Sequence, residues 1–174
     1  MIDKRRPAAG RGWRLDETVR AEALAAYDLT SLTGSQALRR ITDFAAALCG
    51  TPVALVSLVE EHIQCFVSRT GTDLIATPRE MSFCQFAMAG PDVMVVPDAL
   101  ADPRFVHTAL VTGDPHIRFY AGAPLVSDAG VPLGALCVID TVPHDGLTPL
   151  QHEGLLVLAA DVMSRFRAVE ARRR

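Results

Sequence analysis

The chain has no apolar run approaching the roughly 18 residues of a membrane helix, so no spanning segment is expected. It has no excess of positive charge: 17 Lys and Arg stand against 20 Asp and Glu, a net charge of −3. That removes the electrostatic reason to expect nucleic-acid binding. Arg172, Arg173 and Arg174 make too short a run to change this, and residues 171–174 are read as a solvated basic tail. The four cysteines, Cys49, Cys65, Cys84 and Cys137, include no Cys-x-x-Cys pair and no Cys-His cluster. Neither a metal site nor a disulfide framework is expected, and each thiol is read as a reduced, small core residue of a cytoplasmic protein. Lys4, Arg5 and Arg6 are followed by Pro7, Gly10 and Gly12, which interrupt the apolar stretch that a signal peptide needs. There is no internal repeat and no low-complexity tract.

What remains is a chain of 174 residues, 49% hydrophobic and 21% charged, which fits one globular domain. Residues 1–14 are basic and punctuated by Pro and Gly, and read as a flexible arm; the domain is placed at 15–170. Asp16 is the expected cap of a helix bearing Val19, Ala23, Leu24 and Tyr27. Ser35 is the expected cap of a second helix, with Leu38, Ile41, Phe44, Ala45 and Leu48 as its apolar stripe, ended by Gly50 and Pro52. Val53 to Val59 and Ile63 to Val67 read as a hairpin about Glu60, Glu61 and His62. Ser68 to Pro78 reads as loop, Ser82 as the cap of a short helix through Phe83, Phe86, Ala87 and Met88, and Val93 to Val96 as a short strand.

The segment from His116 to Asp140 holds two apolar runs of strand length joined at Ser127, Asp128, Ala129 and Gly130, which read as an antiparallel hairpin. Neither run alternates cleanly between apolar and polar, so both faces of the pair need cover. Pro124 inside the first run implies a sheet edge or a bulge. Thr148-Pro149 opens a last helix whose stripe is Leu155, Leu158, Ala159, Val162, Met163 and Phe166. The expected fold is α+β: a central antiparallel sheet of about five or six strands, with terminal helices on one face. The short helix and the long Pro97–Pro115 segment cover the other face, giving three layers. A loop of about twenty residues inside a compact domain tends to be functional.

The stretches VALVSLVEE, TPREMSFCQFA, MVVPDALADPRFV, HIRFYAGAPLV, PLGALCVID and LTPLQ, in this order over Ala21 to Phe166, resemble the GAF domains, sensor modules of bacterial signalling proteins. The resemblance implies the three-layer fold and a ligand cavity between the sheet and the layer of short helix and long loop. It also implies dimerisation through terminal helices, and a role in sensing rather than catalysis. The chain ends shortly after the last helix, so the signalling output is expected from a separate protein or from a homodimer. One branch of the family reduces free methionine sulfoxide with cysteines. Where that branch has a cysteine before the fourth strand, this chain has His116-Ile117-Arg118-Phe119, so the partner thiol is missing and no reductase activity is expected. A covalent bilin on Cys84 or Cys65 is implied by some relatives, but none of the surrounding chromophore motifs is present.

The expected ligand site comprises Phe83, Cys84, Phe105, His107, His116, Arg118 and Tyr120, on the Phe83 helix, the Pro97–Pro115 segment and the following strand. Cys84 is either a buried small residue or a thiol activated by the first turn of its helix, and so a redox sensor. His107 and His116 either hold loop backbone or face the cavity as haem, metal or hydrogen-bonding ligands. Asp98, Asp102 and Asp114 fit turns and caps better than acid catalysis. Arg118 pairs with Asp102 or Asp114, or instead binds an anionic ligand. Tyr120 needs a hydrogen-bond partner if buried. A third reading is an interaction module whose pocket is filled by its own side chains. No cofactor is assigned and the small-molecule ligand is not identified by the sequence.

Overall fold

The computed structural model describes residues 16–172. The expected arm at 1–14 and the last two residues of the expected tail lie outside them. Asp16 accepts from the backbone N–H groups of Thr18 and Val19 and starts α1 (Glu17–Ala25). A short helix α2 (Leu29–Leu32), capped by Asp28, lies between α1 and the helix that follows. Ser35 caps α3 (Gln36–Cys49). Gly50 closes it in the left-handed conformation at φ 63°, with Thr51 N–H donating to Ala46 O, a geometry that favours glycine.

Six strands follow: β1 (Val53–Val59), β2 (Ile63–Thr70), β3 (Ala76–Pro78), β4 (Met94–Val96), β5 (Phe119–Val126) and β6 (Pro132–Asp140). They form one antiparallel sheet in the order β3-β2-β1-β6-β5-β4. β3 is a difference from the sequence reading, which has Ser68 to Pro78 as loop: β2 runs to Thr70, and three further residues return to pair with Ile63 to Cys65. Such a short edge strand leaves too little pattern to be read. Pro124 lies beyond the last β4 pairing, at Gly122, and next to a register shift at Leu125/Val126, so its missing N–H falls where the sheet is locally open. Gly134 is required by contact: a Cβ there would stand 1.9 Å from Ser57 O of β1.

Both sheet faces are covered. On one face α3, α6 (Pro149–Arg172) and α1 bury Leu24, Ile41, Ala45, Leu155, Val162 and Phe166 against Val56, Ala121 and Leu136. The expected stripe of α3 is corrected at Phe44, which is 58% exposed and points away from this core. Thr148 and Gln151 form a reciprocal capping box at the start of α6, and Gln151 also donates to Leu48 O at the end of α3. On the other face α4 (Cys84–Ala87), α5 (Ala109–Thr112) and the intervening loop bury Phe83, Met88, Phe105 and Val111 against Leu55, Tyr120 and Ala135. The aspartates of that loop serve its turns: Asp98 accepts from Leu100 N–H, and Asp102 accepts from Arg104 N–H and its guanidinium. Among the described residues no helix is long and apolar enough to cross a membrane.

One buried charge was not anticipated from the sequence. Arg20 of α1 is 2% exposed and reaches across the sheet margin to donate to Val59 O and Pro132 O, with Glu17 beside it. It fastens α1 to the ends of β1 and β6.

Candidate functional site

Alternation along β1, β5 and β6 places Val53, Leu55, Ser57, Tyr120, Cys137 and Ile139 on the face covered by α4 and the loops. The cover does not fill the space above them. A cavity of about 410 Å³ remains, walled by Leu55, Phe66, Phe83, Leu110, Ile117 and Ile139, with Asp114 and Pro115 at the loop side. Cys84 and Tyr120 also line it, as do Gln64 and Thr77.

The polar groups of this cavity form a connected set. The Gln64 side chain, 5% exposed, accepts from Ser57 Oγ at 3.0 Å and Ser82 Oγ at 2.6 Å, and donates from its amide nitrogen to Thr77 Oγ1 at 2.8 Å. Ser82 also accepts from Gln85 N–H at the start of α4, so the expected capping role of Ser82 is present. Tyr120, fully buried, lies over Gly122, whose missing side chain leaves room for the phenol: a Cβ at 122 would fall 2.3 Å from Tyr120 Oη. Because Gly122 pairs with Cys137 across the β5/β6 ladder, the hydroxyl is carried to the thiol pair and donates to Cys84 Sγ at 3.1 Å.

Cys84 Sγ and Cys137 Sγ stand 3.8 Å apart, both buried. In the neutral pair the Cys84 S–H donates to Cys137 Sγ while the Tyr120 O–H donates to Cys84 Sγ; once Cys84 loses its proton, both neighbours can donate to its sulfur. Hydrogen bonding from Cys137 lowers the Cys84 pKa against the opposing effect of burial, with Tyr120 and Ser57 adding to the lowering. The contact with Cys84, then burial, pushes the Cys137 thiol well above its ordinary range. Burial and the neighbouring sulfurs likewise push the Tyr120 phenol well up, so it stays a donor. Cys49 and Cys65 are pushed up to about 11, both chiefly by burial.

Three of the seven expected site residues, Phe83, Cys84 and Tyr120, line the cavity. Phe105 does not: it is buried behind Phe83, stacked on it at 4.1 Å. His107 and His116 are exposed and do not line it either; the backbone N–H of His116 donates to Gly113 O. Among the described residues no group of three or more His, Cys, Asp or Glu is placed to hold a metal. Arg118 precedes β5 and meets no carboxylate of Asp102 or Asp114; its guanidinium donates to Val111 O and Ile117 O and so ties α5 to the strand. Carbonyls at the end of a short helix satisfy a guanidinium as a carboxylate would, which a pattern of charges does not reveal. The segment His116-Ile117-Arg118-Phe119 before β5 holds no cysteine, as read from the sequence, but a thiol from elsewhere, Cys137 of β6, lies beside Cys84. Gln64 escaped the sequence reading; its signal was a single polar side chain among Ile63, Phe66 and Val67.

A family model described as GAF domain matches residues 34–165. A cyclic di-GMP phosphodiesterase of Pseudomonas aeruginosa is 46% identical over 114 residues, which is 63% of this chain and 19% of that protein. The chain thus spans about a fifth of the curated relative it matches. Among solved structures, the GAF domain of an Acinetobacter phosphoenolpyruvate-protein phosphotransferase superposes with a TM-score of 0.62 at 13% identity, covering 89% of this chain and 95% of that one. A free methionine-R-sulfoxide reductase from Neisseria meningitidis gives 0.63 at 22% identity, covering 89% and 86%. At these identities the structural matches speak for the fold alone.

Proposed function

Because the chain belongs to the GAF domain family, we propose that it is a sensory or regulatory module whose cavity binds a small, largely apolar, uncharged molecule carrying a hydrogen-bond acceptor. The cavity carries this reading. Its volume of about 410 Å³ falls in the range of roughly 300–1,000 Å³ typical of small-molecule sites, and its apolar walls surround one fixed amide. The Gln64 oxygen is taken by two hydroxyls, and its nitrogen has one N–H on Thr77. An amide nitrogen carries two N–H bonds, so the second is left for a ligand. Asp114 is the one charged side chain among the lining residues. An anionic ligand, a cyclic dinucleotide included, would meet no cation there, which argues against carrying over the substrate named for the Pseudomonas relative.

The same reading is non-enzymatic, with output through a homodimer or a separate signalling protein. Phe44 on α3, and Leu150 and Val157 on α6, are exposed apolar side chains that a second copy would cover. Native mass spectrometry of the protein from its own host tests both parts, since it reports bound mass and oligomeric state together. The expected result is a dimer carrying a neutral small molecule that Leu55→Trp displaces. A chain without bound mass, whose melting temperature no member of a neutral-metabolite panel raises, would refute the ligand reading.

A further inference from the structure

The thiol pair above the sheet has no role in the ligand reading, yet its placement is specific. Cys84 enters from α4 and Cys137 from β6, 53 positions apart in sequence, and the fold brings their sulfurs to 3.8 Å. A disulfide needs about 2.0 Å, so rotation of two side chains, with a small approach of α4 to the sheet, is the movement required. Cys84 lines the cavity and Cys137 lies behind it. A small oxidant entering the cavity therefore meets Cys84 first, with Tyr120 O–H at 3.1 Å to stabilise its thiolate.

We propose that Cys84 and Cys137 form a hydroperoxide-sensitive dithiol, in which Cys84 is oxidised first and Cys137 resolves it to an intramolecular disulfide. The chemistry balances in two steps. The Cys84 thiolate attacks the peroxide oxygen: an S–O bond forms, the O–O bond breaks, and the departing alkoxide or hydroxide takes up a proton and leaves as alcohol or water. Cys84 is now a sulfenic acid. The Cys137 sulfur then attacks Cys84 Sγ, an S–S bond forms, the S–O bond breaks, and water leaves with the Cys137 proton. Overall, two thiols and one hydroperoxide give one disulfide, one alcohol or water, and one water. The disulfide would pin α4 to β6 at the cavity wall and draw the Tyr120 hydroxyl away from its acceptor. The proposal uses the cavity only as a route, so it stands whether or not a ligand binds there.

The test is peptide mapping of the full chain, treated while folded with hydrogen peroxide or with tert-butyl hydroperoxide and then denatured for alkylation of the remaining thiols. The expected result is loss of two of the four free thiols, recovered as a peptide pair linked through Cys84 and Cys137 and restored by reductant. Faster loss with the alkyl peroxide would assign the apolar cavity as the route to an organic hydroperoxide; faster loss with hydrogen peroxide would assign the smaller oxidant. In C137S the reaction should stop at a Cys84 sulfenic acid that dimedone traps, and C65S should leave the yield of linked peptide unchanged. Y120F should shift the pH midpoint of Cys84 oxidation upward, an effect that simple loosening of the core would not produce. If wild-type Cys84 and Cys137 both remain alkylatable while peroxide oxidises Cys65 or Cys49, or if Cys84 passes to the sulfinic acid without a linked peptide, the proposal is wrong. Mapping the wild-type chain decides this even if a variant fails to fold.

Discussion

Gly122→Ala is the substitution that most directly probes the construction of the site. The new Cβ would stand 2.3 Å from Tyr120 Oη, 2.8 Å from Cζ and 2.9 Å from Cε1, where unstrained carbon contacts lie near 3.5–4.0 Å. The phenol must therefore move by about 1 Å. It has little freedom to do so, being fully buried and stacked on Phe83 at 5.2 Å. Overpacking of this kind costs about 1–3 kcal/mol. Movement also breaks the bond to Cys84 Sγ and leaves a buried hydroxyl unpaired, adding about 1–3 kcal/mol. The sum is roughly 2–6 kcal/mol, or a fall in melting temperature of about 2–4 °C per kcal/mol for a chain of this size. Urea unfolding should show the midpoint lowered with the slope unchanged. The same substitution in the Y120F background, where the closest clash is absent, should cost less by on the order of 1 kcal/mol. A loss under about 1 kcal/mol in the wild-type background, or an equal loss in both backgrounds, would refute the claim that Gly122 exists to seat Tyr120.

Replacing Arg20 by Met removes charge-assisted hydrogen bonds to Val59 O and Pro132 O and orphans two carbonyls, so equilibrium unfolding should register a loss of about 3–5 kcal/mol. The Glu17 carboxyl is held below its usual range, chiefly by the hydrogen bond from Arg79. Its contribution to stability is therefore complete above about pH 4.3 and lost as pH falls through the lowered folded value. Glu17→Gln should flatten the acid limb of a stability–pH curve, and an unchanged limb would show that the partly exposed pair contributes nothing. With the Cys65 thiol pushed up to about 11, alkylation of this half-buried residue at pH 8 should run on the order of a hundredfold slower than for an unperturbed thiol, as timed quenching and mass spectrometry would show.

The hairpin around Gly130, the caps at Asp16 and Ser35, and the Thr148-Pro149 start of α6 were legible because each rests on chemistry within a few residues. The two-faced burial of β5 and β6 was legible for a similar reason: runs such as Leu133 to Ile139 carry too few polar residues to leave a face wet. The site was less so. Phe83, Cys84 and Tyr120, which do line the cavity, could be read because they sit at the start of a short helix and inside an apolar strand. Phe105, His107, His116 and Arg118 lie outside the cavity lining; they sit in the irregular segment before β5, where no strand or helix period indicates which way a side chain turns. Gln64 and Thr77 belong together only through the β2/β3 pairing, whose edge strand is three residues long. The nearness of Cys84 to Cys137 arises from packing of α4 on β6 across 53 positions, and nothing local to either residue encodes it.

The sheet order also determines when the site can exist. Its two hairpins meet at β1 and β6, where Val53 pairs with Ile139 and Leu55 with Cys137. A chain emerging from the ribosome can zip β1 onto β2 early, but that hairpin offers the cavity only one half of its floor. The other half waits for the last strand to arrive, an encounter across more than eighty residues that is slow because so much chain must be gathered first. In the reverse direction, once β6 peels from β1 the floor parts along its middle. A complete floor therefore requires the β1/β6 pairing, so a molecule that needs both halves of the floor can be held only after the first and last strands have met.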